Sequence, residues 1–150
     1  MRFNHMELTF APGTLNDERR QEISRFYGEV FGWEAVEVDI LKQKALLLKV
    51  DPSTQHFILL AEHAQPMQPP AYDHLGILMD TREEVDEILA RCQAWQEHDD
   101  RVELKIYKDL VNPTSVVHAF YVRFLLPIHL DVQCIEYAAG AEPPRRWVFA

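Results

Sequence analysis

Two short stretches of the sequence decide the fold. The first is FNHMELTF, residues 3–10, and the second is YDHLGILM, residues 72–79. Each alternates between apolar and polar residues, a period of two that is typical of a half-buried β-strand. When the two stretches are aligned, an aromatic, a polar and two apolar positions match in type, and the third place in each, His5 or His74, is the only identity. The match predicts that each stretch begins one copy of a repeated unit.

The segments that follow the two stretches predict the same order of elements. After the first, helical spacing of apolar residues predicts a helix over 15–31, starting near Thr14 and Asp17 and ending at Gly32. After the second, a capping box of Thr81 and Glu84 begins a helix over 82–97. Three strands are then predicted in each half, over 36–40, 45–50 and 55–61, and over 102–110, 116–126 and 130–137.

These elements predict an α+β fold in which tandem βαβββ modules form a curved mixed sheet around a cleft. The chain has 150 residues, enough for one domain with a sizeable core. Its predicted parts are module one over about 1–63, a Pro-rich linker over 64–71, module two over about 72–140 and a tail over 141–150. The predicted core contains Met6, Leu8, Phe10, Phe26, Val30, Leu75, Ile77, Ile88 and Leu89.

Composition excludes several classes of protein. Asp and Glu outnumber Lys and Arg by 24 to 15, and the basic residues are scattered, which argues against a nucleic-acid partner. No apolar run approaches the roughly 20 residues of a membrane-spanning helix, so we expect a cytoplasmic protein without a membrane partner. Cys92 and Cys134 lack the close spacing of a zinc or redox motif, and we expect both to be buried.

The alternation of the first strands also predicts where their histidines lie. In each strand the apolar residues must face the amphipathic helix, which turns His5 and His74 onto the opposite face of the sheet. A third candidate is Glu136 in the final strand, because a carboxylate in an apolar strand needs a cation to offset its burial. Each histidine could instead be an ordinary hydrogen-bonded residue, and Glu136 a solvated one.

Four motifs carry a resemblance to a known family. They are NHMEL at 4–8, FYGEVFGWE at 26–34, YDHLGI at 72–77 and IEY at 135–137. In these motifs the chain resembles the vicinal oxygen chelate superfamily, which includes glyoxalase I, bleomycin and fosfomycin resistance proteins, methylmalonyl-CoA epimerase and extradiol dioxygenases. The resemblance covers residues 2–137.

The resemblance implies a divalent metal ion, Fe, Mn, Zn or Ni, bound by His5, His74 and Glu136. Two imidazoles and one carboxylate leave open positions for a substrate. The chain departs from the family in two places. Leu59 occupies the position of a fourth ligand that the lyase and epimerase branches have, and the turn at Pro127 lacks the family's Asp-Pro-x-Gly motif.

Two functions remain open at this point. The first is a metal-dependent lyase, isomerase or dioxygenase that acts on a small substrate with neighbouring oxygens, with His118 and Tyr121 as candidate catalytic residues. The second is a metal-free protein that binds or sequesters a small molecule. Its aromatic lining would include Tyr72, Phe120 and Tyr121, and Arg123 could hold a ligand carboxylate or pair with an acidic neighbour.

We also expect a homodimer. Superfamily members of this size often pair, and the apolar tail residues Trp147, Val148 and Phe149 offer a surface for a twofold interface. The tail could instead fold back onto its own helices.

Overall fold

The structure is a computed structural model that describes residues 3–51 and 55–144. Module one contains β1 (His5–Phe10), α1 (Asp17–Phe31), β2 (Glu34–Ile40), β3 (Gln43–Lys49) and β4 (Phe57–Glu62). Module two contains β5 (His74–Leu78), α2 (Arg82–Gln96), β6 (Glu103–Ile106), β7 (Leu110–Asn112), β8 (Ser115–Arg123) and β9 (His129–Tyr137). The predicted α+β class and the repeated order of elements are confirmed.

Each module has its own mixed sheet. Sheet one has the order β1-β4-β3-β2, and sheet two has the order β5-β9-β8-β6, with the short β7 also paired to β8. The first strand of each module pairs in parallel with the last, and the remaining pairs are antiparallel. The predicted mixed sheet thus consists of two sheets, one from each module.

The Pro-rich linker helps to explain why the strands form two sheets and not one. The backbone N–H of Met67 donates to the carbonyl and the side-chain oxygen of Thr9, at 3.2 and 2.8 Å. The linker thus occupies the edge of β1 that a second strand would need. The side chain of Met67 also packs against the core, so the linker is more than a spacer.

Capping residues mark the start of both helices and the end of α1. Asn16, rather than Thr14, is the N-cap of α1, and its side chain accepts a hydrogen bond from Arg19 N–H. Gly32 ends α1 with a φ of 71°, a left-handed conformation that favours glycine. The predicted capping box of Thr81 and Glu84 is present at the start of α2.

Two predicted strands are shorter in the structure. The strand predicted over 102–110 breaks after Ile106, and the chain resumes pairing with β8 only at Leu110. The strand predicted to continue to residue 126 ends at Arg123, and Leu125 has a φ of 58°, which is incompatible with an extended strand. The residues between β6 and β7, 107–109, are therefore not held in the sheet, and their side chains reach both of its faces.

The two modules share one core. The Phe26 ring on α1 lies 5.3 Å from the Trp95 ring on α2 and 4.5 Å from the Phe124 ring, and Tyr27 Oη donates to the Phe124 carbonyl at 3.0 Å. Five residues of the predicted core are buried in the shared core: Leu8, Phe10, Phe26, Val30 and Ile88. The other four are half-buried and pack against that core: Met6, Leu75, Ile77 and Leu89.

Both cysteines are buried and unpaired, and burial raises the pKa of Cys92 to about 12. No helix among the described residues is long and apolar enough to cross a membrane. The tail residues named for the homodimer, Trp147, Val148 and Phe149, lie outside the described residues.

Candidate functional site

His5 and His74 lie on the sheet faces that point away from the helices, which we call the open faces. On β1, Leu8 and Phe10 are buried beneath the helices and His5 is exposed on the other side. The His5 ring stacks on Phe57 with centroids 4.8 Å apart, and its Nδ1 lies 2.8 Å from the side-chain oxygen of Asn4. His5 is therefore held by neighbours from its own module.

Glu136 lies on the opposite side of sheet two from His74. Along β9 the residues that join the core are Leu130, Val132 and Cys134, and Glu136 continues this row at the end of the strand. Its carboxylate accepts a 2.8 Å hydrogen bond from Arg82 at the start of α2, and this bond lowers the pKa of Glu136. In this structure Glu136 and His74 therefore do not share a face of sheet two, and the role of Glu136 as third ligand stays a prediction.

Two further predicted site residues also belong to the helix side. His118 lies beneath α2, where its ring nitrogens are 2.8 Å from Asp86 and 2.8 Å from Asp109. Phe120, two residues along β8, is buried in the core. Neither residue faces the open side, so the catalytic role of His118 and the ligand contact of Phe120 stay predictions that this geometry does not support.

The open face of sheet two instead carries a polar and aromatic row. Strand register places Gly76 beside Asp131, Asp131 beside Tyr121, and Tyr121 beside Lys105. Paired residues share one face of a sheet, so these four positions lie on the same side. His74 and His129 form the next pair along β5 and β9, so the row includes two of the predicted site residues, His74 and Tyr121.

Asp131 is the most unusual residue of this row. It is only 8% exposed, and its Oδ1 has no hydrogen-bond partner among the described residues. Its Oδ2 lies 3.7 Å from Nε2 of His74, whose Nδ1 donates to the Tyr72 carbonyl at 2.9 Å. Burial raises the pKa of Asp131, and the positive charge that His74 can carry opposes that rise.

His129 is buried beside Asp131 and is also incompletely bonded. Its Nδ1 has no partner among the described residues, and its Nε2 is 3.8 Å from Glu103. Burial lowers the pKa of His129, and the charge of Arg123 lowers it further. The charged form of His129 is therefore disfavoured, and one of its buried ring nitrogens is left without a partner among the described residues.

Two tyrosine rings lie over the ammonium group of Lys105 and a third adjoins them, and we call this group of Tyr72, Tyr107 and Tyr121 the tyrosine cage. The Lys105 nitrogen lies 3.6 Å from the ring centroid of Tyr72 and 4.9 Å from that of Tyr107. The Tyr107 and Tyr121 rings meet at 5.0 Å, and Tyr121 also lies 4.7 Å from His74. Tyr72 and Tyr121 are therefore on the open face, where a ligand could contact them.

A cavity of about 370 Å³ opens over this row. Its lining comprises Tyr107, Lys108, Leu110, Val117, Ala119, Tyr121, Asp131 and Gln133. Gly76 lies close to the lining residue Gln133, because a Cβ at position 76 would come within 3.3 Å of the Gln133 amide nitrogen. A second cavity, of about 480 Å³, is lined by His74 together with Met6, Met67, Gln68, Pro69, Pro70, Asp73 and Ile128.

Arg123 is also on the open face, but its guanidinium is already paired. One of its nitrogens donates to both oxygens of Glu103, at 2.8 and 2.7 Å. Of the two roles predicted for Arg123, the structure shows the pairing with an acidic neighbour.

Sequence reasoning missed Asp131, His129, Lys105 and Tyr107. The available signal for Asp131 was a charged residue inside a strand of otherwise apolar character, which is the argument that selected Glu136 five residues later. His129 comes two residues after Pro127 and carries no pattern of its own in the sequence, yet it begins β9 and pairs with His74.

The metal implied by the resemblance does not fit the residues present. His5 is stacked on Phe57, His74 lies in the other module beside Asp131, and Glu136 faces the helices. Over residues 3–51 and 55–144, no group of three or more His, Cys, Asp or Glu side chains is arranged to hold a metal ion. The predicted ligand triad is not assembled.

Solved structures with the same fold are similar to this chain at low identity. Fosfomycin resistance protein FosX from Listeria monocytogenes, complexed with Mn(II) and sulfate, is 17% identical with a TM-score of 0.61, covering 89% of each chain. An integron cassette protein of V. cholerae is 16% identical with a TM-score of 0.56, covering 89% of this chain and 94% of that one. A glyoxylase/bleomycin resistance protein/dioxygenase domain from Frankia sp. EAN1pec is 19% identical with a TM-score of 0.59, covering 93% and 94%.

No family model and no curated protein matches the sequence. At these identities the likeness establishes the fold.

Proposed function

We propose, from the vicinal oxygen chelate fold that this chain has, that it is a small-molecule-binding protein whose ligand lies on the open face of sheet two without a metal ion. The observation that carries the proposal is the Asp131 carboxyl, buried at the floor of an aromatic cavity with one oxygen unpartnered among the described residues. A ligand that donates a hydrogen bond there would satisfy it.

The energetics of Asp131 support this role. A buried polar group without a partner costs about 1–3 kcal/mol of stability, and an apolar side chain of similar size would avoid that cost. Ligand sites typically combine apolar and aromatic walls with a few polar groups that fix orientation. The cavity has this character, because tyrosine, leucine, valine and alanine surround Asp131 and Gln133.

A second candidate is the metal-dependent lyase, isomerase or dioxygenase. One observation favours it: His74 Nε2 and Asp131 Oδ2 face each other at 3.7 Å, so two metal-binding atoms share the open face. A mutant of FosX from Listeria monocytogenes was crystallised with Mn(II) and 1S,2S-dihydroxypropylphosphonic acid. For this chain to bind a metal as well, a third ligand would have to come from the substrate or from water.

A fragment screen followed by NMR separates the two candidates. Protein purified without a metal-affinity tag is screened with small aromatic and polar compounds, with and without EDTA. We expect binding that EDTA does not weaken, with amide shifts at Gly76, Ala119 and Gln133 and none at Leu47 and Leu59 on the other sheet. Compounds that bind only with added Mn(II), and not to His74→Ala, would establish the metal-dependent candidate. Absence of binding to sheet two would overturn both.

The homodimer stays a prediction. The structure adds that the apolar residues Ile106, Leu110 and Val111, on β6 and β7 at the edge of sheet two, are exposed. Light scattering at micromolar concentration tests for the dimer, and truncation after Gly140 tests the tail. A dimer that survives truncation would point to the sheet edge instead.

A further inference from the structure

We propose that the tyrosine cage binds an organic cation, and that the Lys105 ammonium is a built-in occupant which the ligand's ammonium group replaces. This inference rests on the proposed function and names its ligand class. Three observations carry it: the geometry of the cage, the nearby carboxylate, and the way Lys105 is held.

The cage already binds a cation within the protein. The faces of aromatic rings attract positive charge within about 6 Å of the ring centroid, and the Lys105 nitrogen lies at 3.6 Å from Tyr72 and 4.9 Å from Tyr107. Tyr121 contributes a third ring, 5.0 Å from Tyr107. Quaternary ammonium groups are recognised by clusters of aromatic rings of this kind.

The charges around the cage favour a cation over an anion. Asp131 pairs directly with Tyr121 across β8 and β9, and its carboxyl lines the same cavity as Tyr107 and Tyr121, with one buried oxygen unpartnered among the described residues. Lys108 also lines the cavity, but once Lys105 has left the cage an anion there would meet the Asp131 carboxyl and the electron-rich ring faces. The chain also carries a formal net charge of −9, which attracts cations over longer distances.

Lys105 is held in a way that permits replacement. Among the residues that the structure describes, it forms no ion pair with a carboxylate; its nitrogen lies over the ring faces and hydrogen-bonds to the side-chain oxygens of Tyr107 and Tyr72. By contrast, the neighbouring cation Arg123 is fixed by both oxygens of Glu103. A lysine has a flexible four-carbon stem, and without a carboxylate partner it can swing into solvent when a ligand's ammonium enters.

The test compares three probes of similar size by NMR titration of the full chain. Choline is the cation, 3,3-dimethylbutan-1-ol is its neutral counterpart with the same shape, and propylphosphonate is an anion. We expect choline to bind at least about tenfold more tightly than the alcohol, and the phosphonate not to bind, because only a cation gains from the ring faces and Asp131.

Two substitutions test the roles of Lys105 and Asp131. Lys105→Gln, at a half-buried position on β6, should raise choline affinity by about threefold or more, because the competing cation is removed. Asp131→Asn should lower it by about tenfold. Asp39→Asn changes the net charge by the same amount on sheet one, where Asp39 pairs with Lys44, and should leave affinity unchanged.

Equal affinity for choline and the alcohol would overturn this inference but leave the proposed binding function intact. Lower choline affinity in Lys105→Gln, or an unchanged one, would also overturn it, because Lys105 would then not compete with the ligand. Failure of choline to bind would overturn the inference too. If the fragment screen then also finds no ligand on sheet two, the proposed function is overturned as well.

Discussion

The open faces of the two sheets differ in chemistry although their strands pair in the same register. In sheet one Glu34 pairs with Lys49 and forms an ion pair with it at 3.0 Å. In sheet two Glu103 and Arg123 occupy the equivalent positions and form an ion pair at 2.7 Å. The repeat therefore preserves an ion pair on the outer two strands of each module, which indicates that these positions correspond.

The centre of each face does not correspond in the same way. Leu59 on β4 and Asp131 on β9 occupy equivalent positions, and they are 9% and 8% exposed. Their neighbours on the adjoining strands are Leu47 and Tyr121. Equal burial of an apolar and an acidic residue shows that sheet one uses this position for packing, whereas sheet two bears the cost of a buried carboxyl, as expected of a binding site.

The largest expected effect tests whether the two modules form one cooperative unit. Phe26 is fully buried and contacts Trp95 and Phe124 of the other module. Phe26→Ala should lower the free energy of unfolding by about 3–5 kcal/mol, in a single transition, because it leaves a cavity in the shared core. Urea unfolding followed by fluorescence and by circular dichroism measures it.

Phe3→Ala is the matched control, since Phe3 is exposed and its loss should change stability by less than about 0.5 kcal/mol. Separate transitions for the two modules in Phe26→Ala would show that the modules fold independently. The comparison of their open faces would then concern two small domains rather than one.

The next effect concerns Asp131 directly. Asp131→Leu places in sheet two the residue that sheet one has at the equivalent position, and it should raise the free energy of unfolding by about 1–3 kcal/mol while abolishing ligand binding. The gain depends on pH. Because burial raises the folded-state pKa of Asp131, its charged form is disfavoured, and native stability falls as pH rises from the ordinary carboxyl pKa to the raised one.

The stabilisation by Asp131→Leu should therefore be largest at neutral pH and smallest below about pH 3.9, where the unfolded carboxyl is also protonated. Thermal unfolding at about pH 3.5 and about pH 7 compares the variant with the parent on either side of that value, and Asp39→Asn controls for net charge. A destabilised Asp131→Leu at neutral pH would mean that Asp131 has a structural partner, which would remove the main support for the binding site.

The alternation of β1 and β5 was sufficient to predict the fold and the faces of His5 and His74. In β1 the apolar residues alternate, and in β5 Leu75 and Ile77 keep the same period although Leu78 is also apolar, so one face of each strand must lie against the helices. Strand β9 offers no such signal. Its first four residues, His129 to Val132, are all buried, and with buried residues on both faces the sequence does not reveal which face Glu136 shares.

The tyrosine cage could not be predicted for a different reason. Tyr72 precedes β5, Tyr107 follows β6 and Tyr121 lies within β8, so their convergence depends on the long-range pairing of these strands. The pairing of Lys105 with Tyr121 is set by register, which spacing along the sequence does not reveal. Residues that act together only after the sheet has formed leave no local pattern.

The smallest expected effect lies on the other face of sheet two. His118 contacts Asp86 on α2 and Asp109 in the segment between β6 and β7, and Arg82 donates to Asp109 and Glu136. Both ring nitrogens are 2.8 Å from carboxylates, and two such bonds require the charged imidazolium. Burial lowers the pKa of His118, but the bonds to Asp109 and Asp86 outweigh burial, and the net pKa is raised.

A raised pKa means that the charged ring stabilises the folded protein. This contribution is complete below the ordinary histidine pKa of about 6.5 and is lost as pH rises through the raised value. We expect His118→Gln to lower stability by about 0.5–1 kcal/mol at about pH 6, in the range of partly exposed ion pairs, and by less at about pH 9. Urea unfolding at both pH values measures this, with the exposed His98→Gln as control.

The same variant also tests the separation of the two faces. Asp109 is two residues from Tyr107, so loss of the His118 contact could move a wall of the tyrosine cage. If the faces are independent, His118→Gln leaves choline affinity unchanged while it alters the pH dependence of stability. The opposite outcome is a choline affinity that changes with pH as His118 titrates and no longer does so in His118→Gln. It would show that the helix-side network positions Tyr107, and that the binding site extends through the sheet.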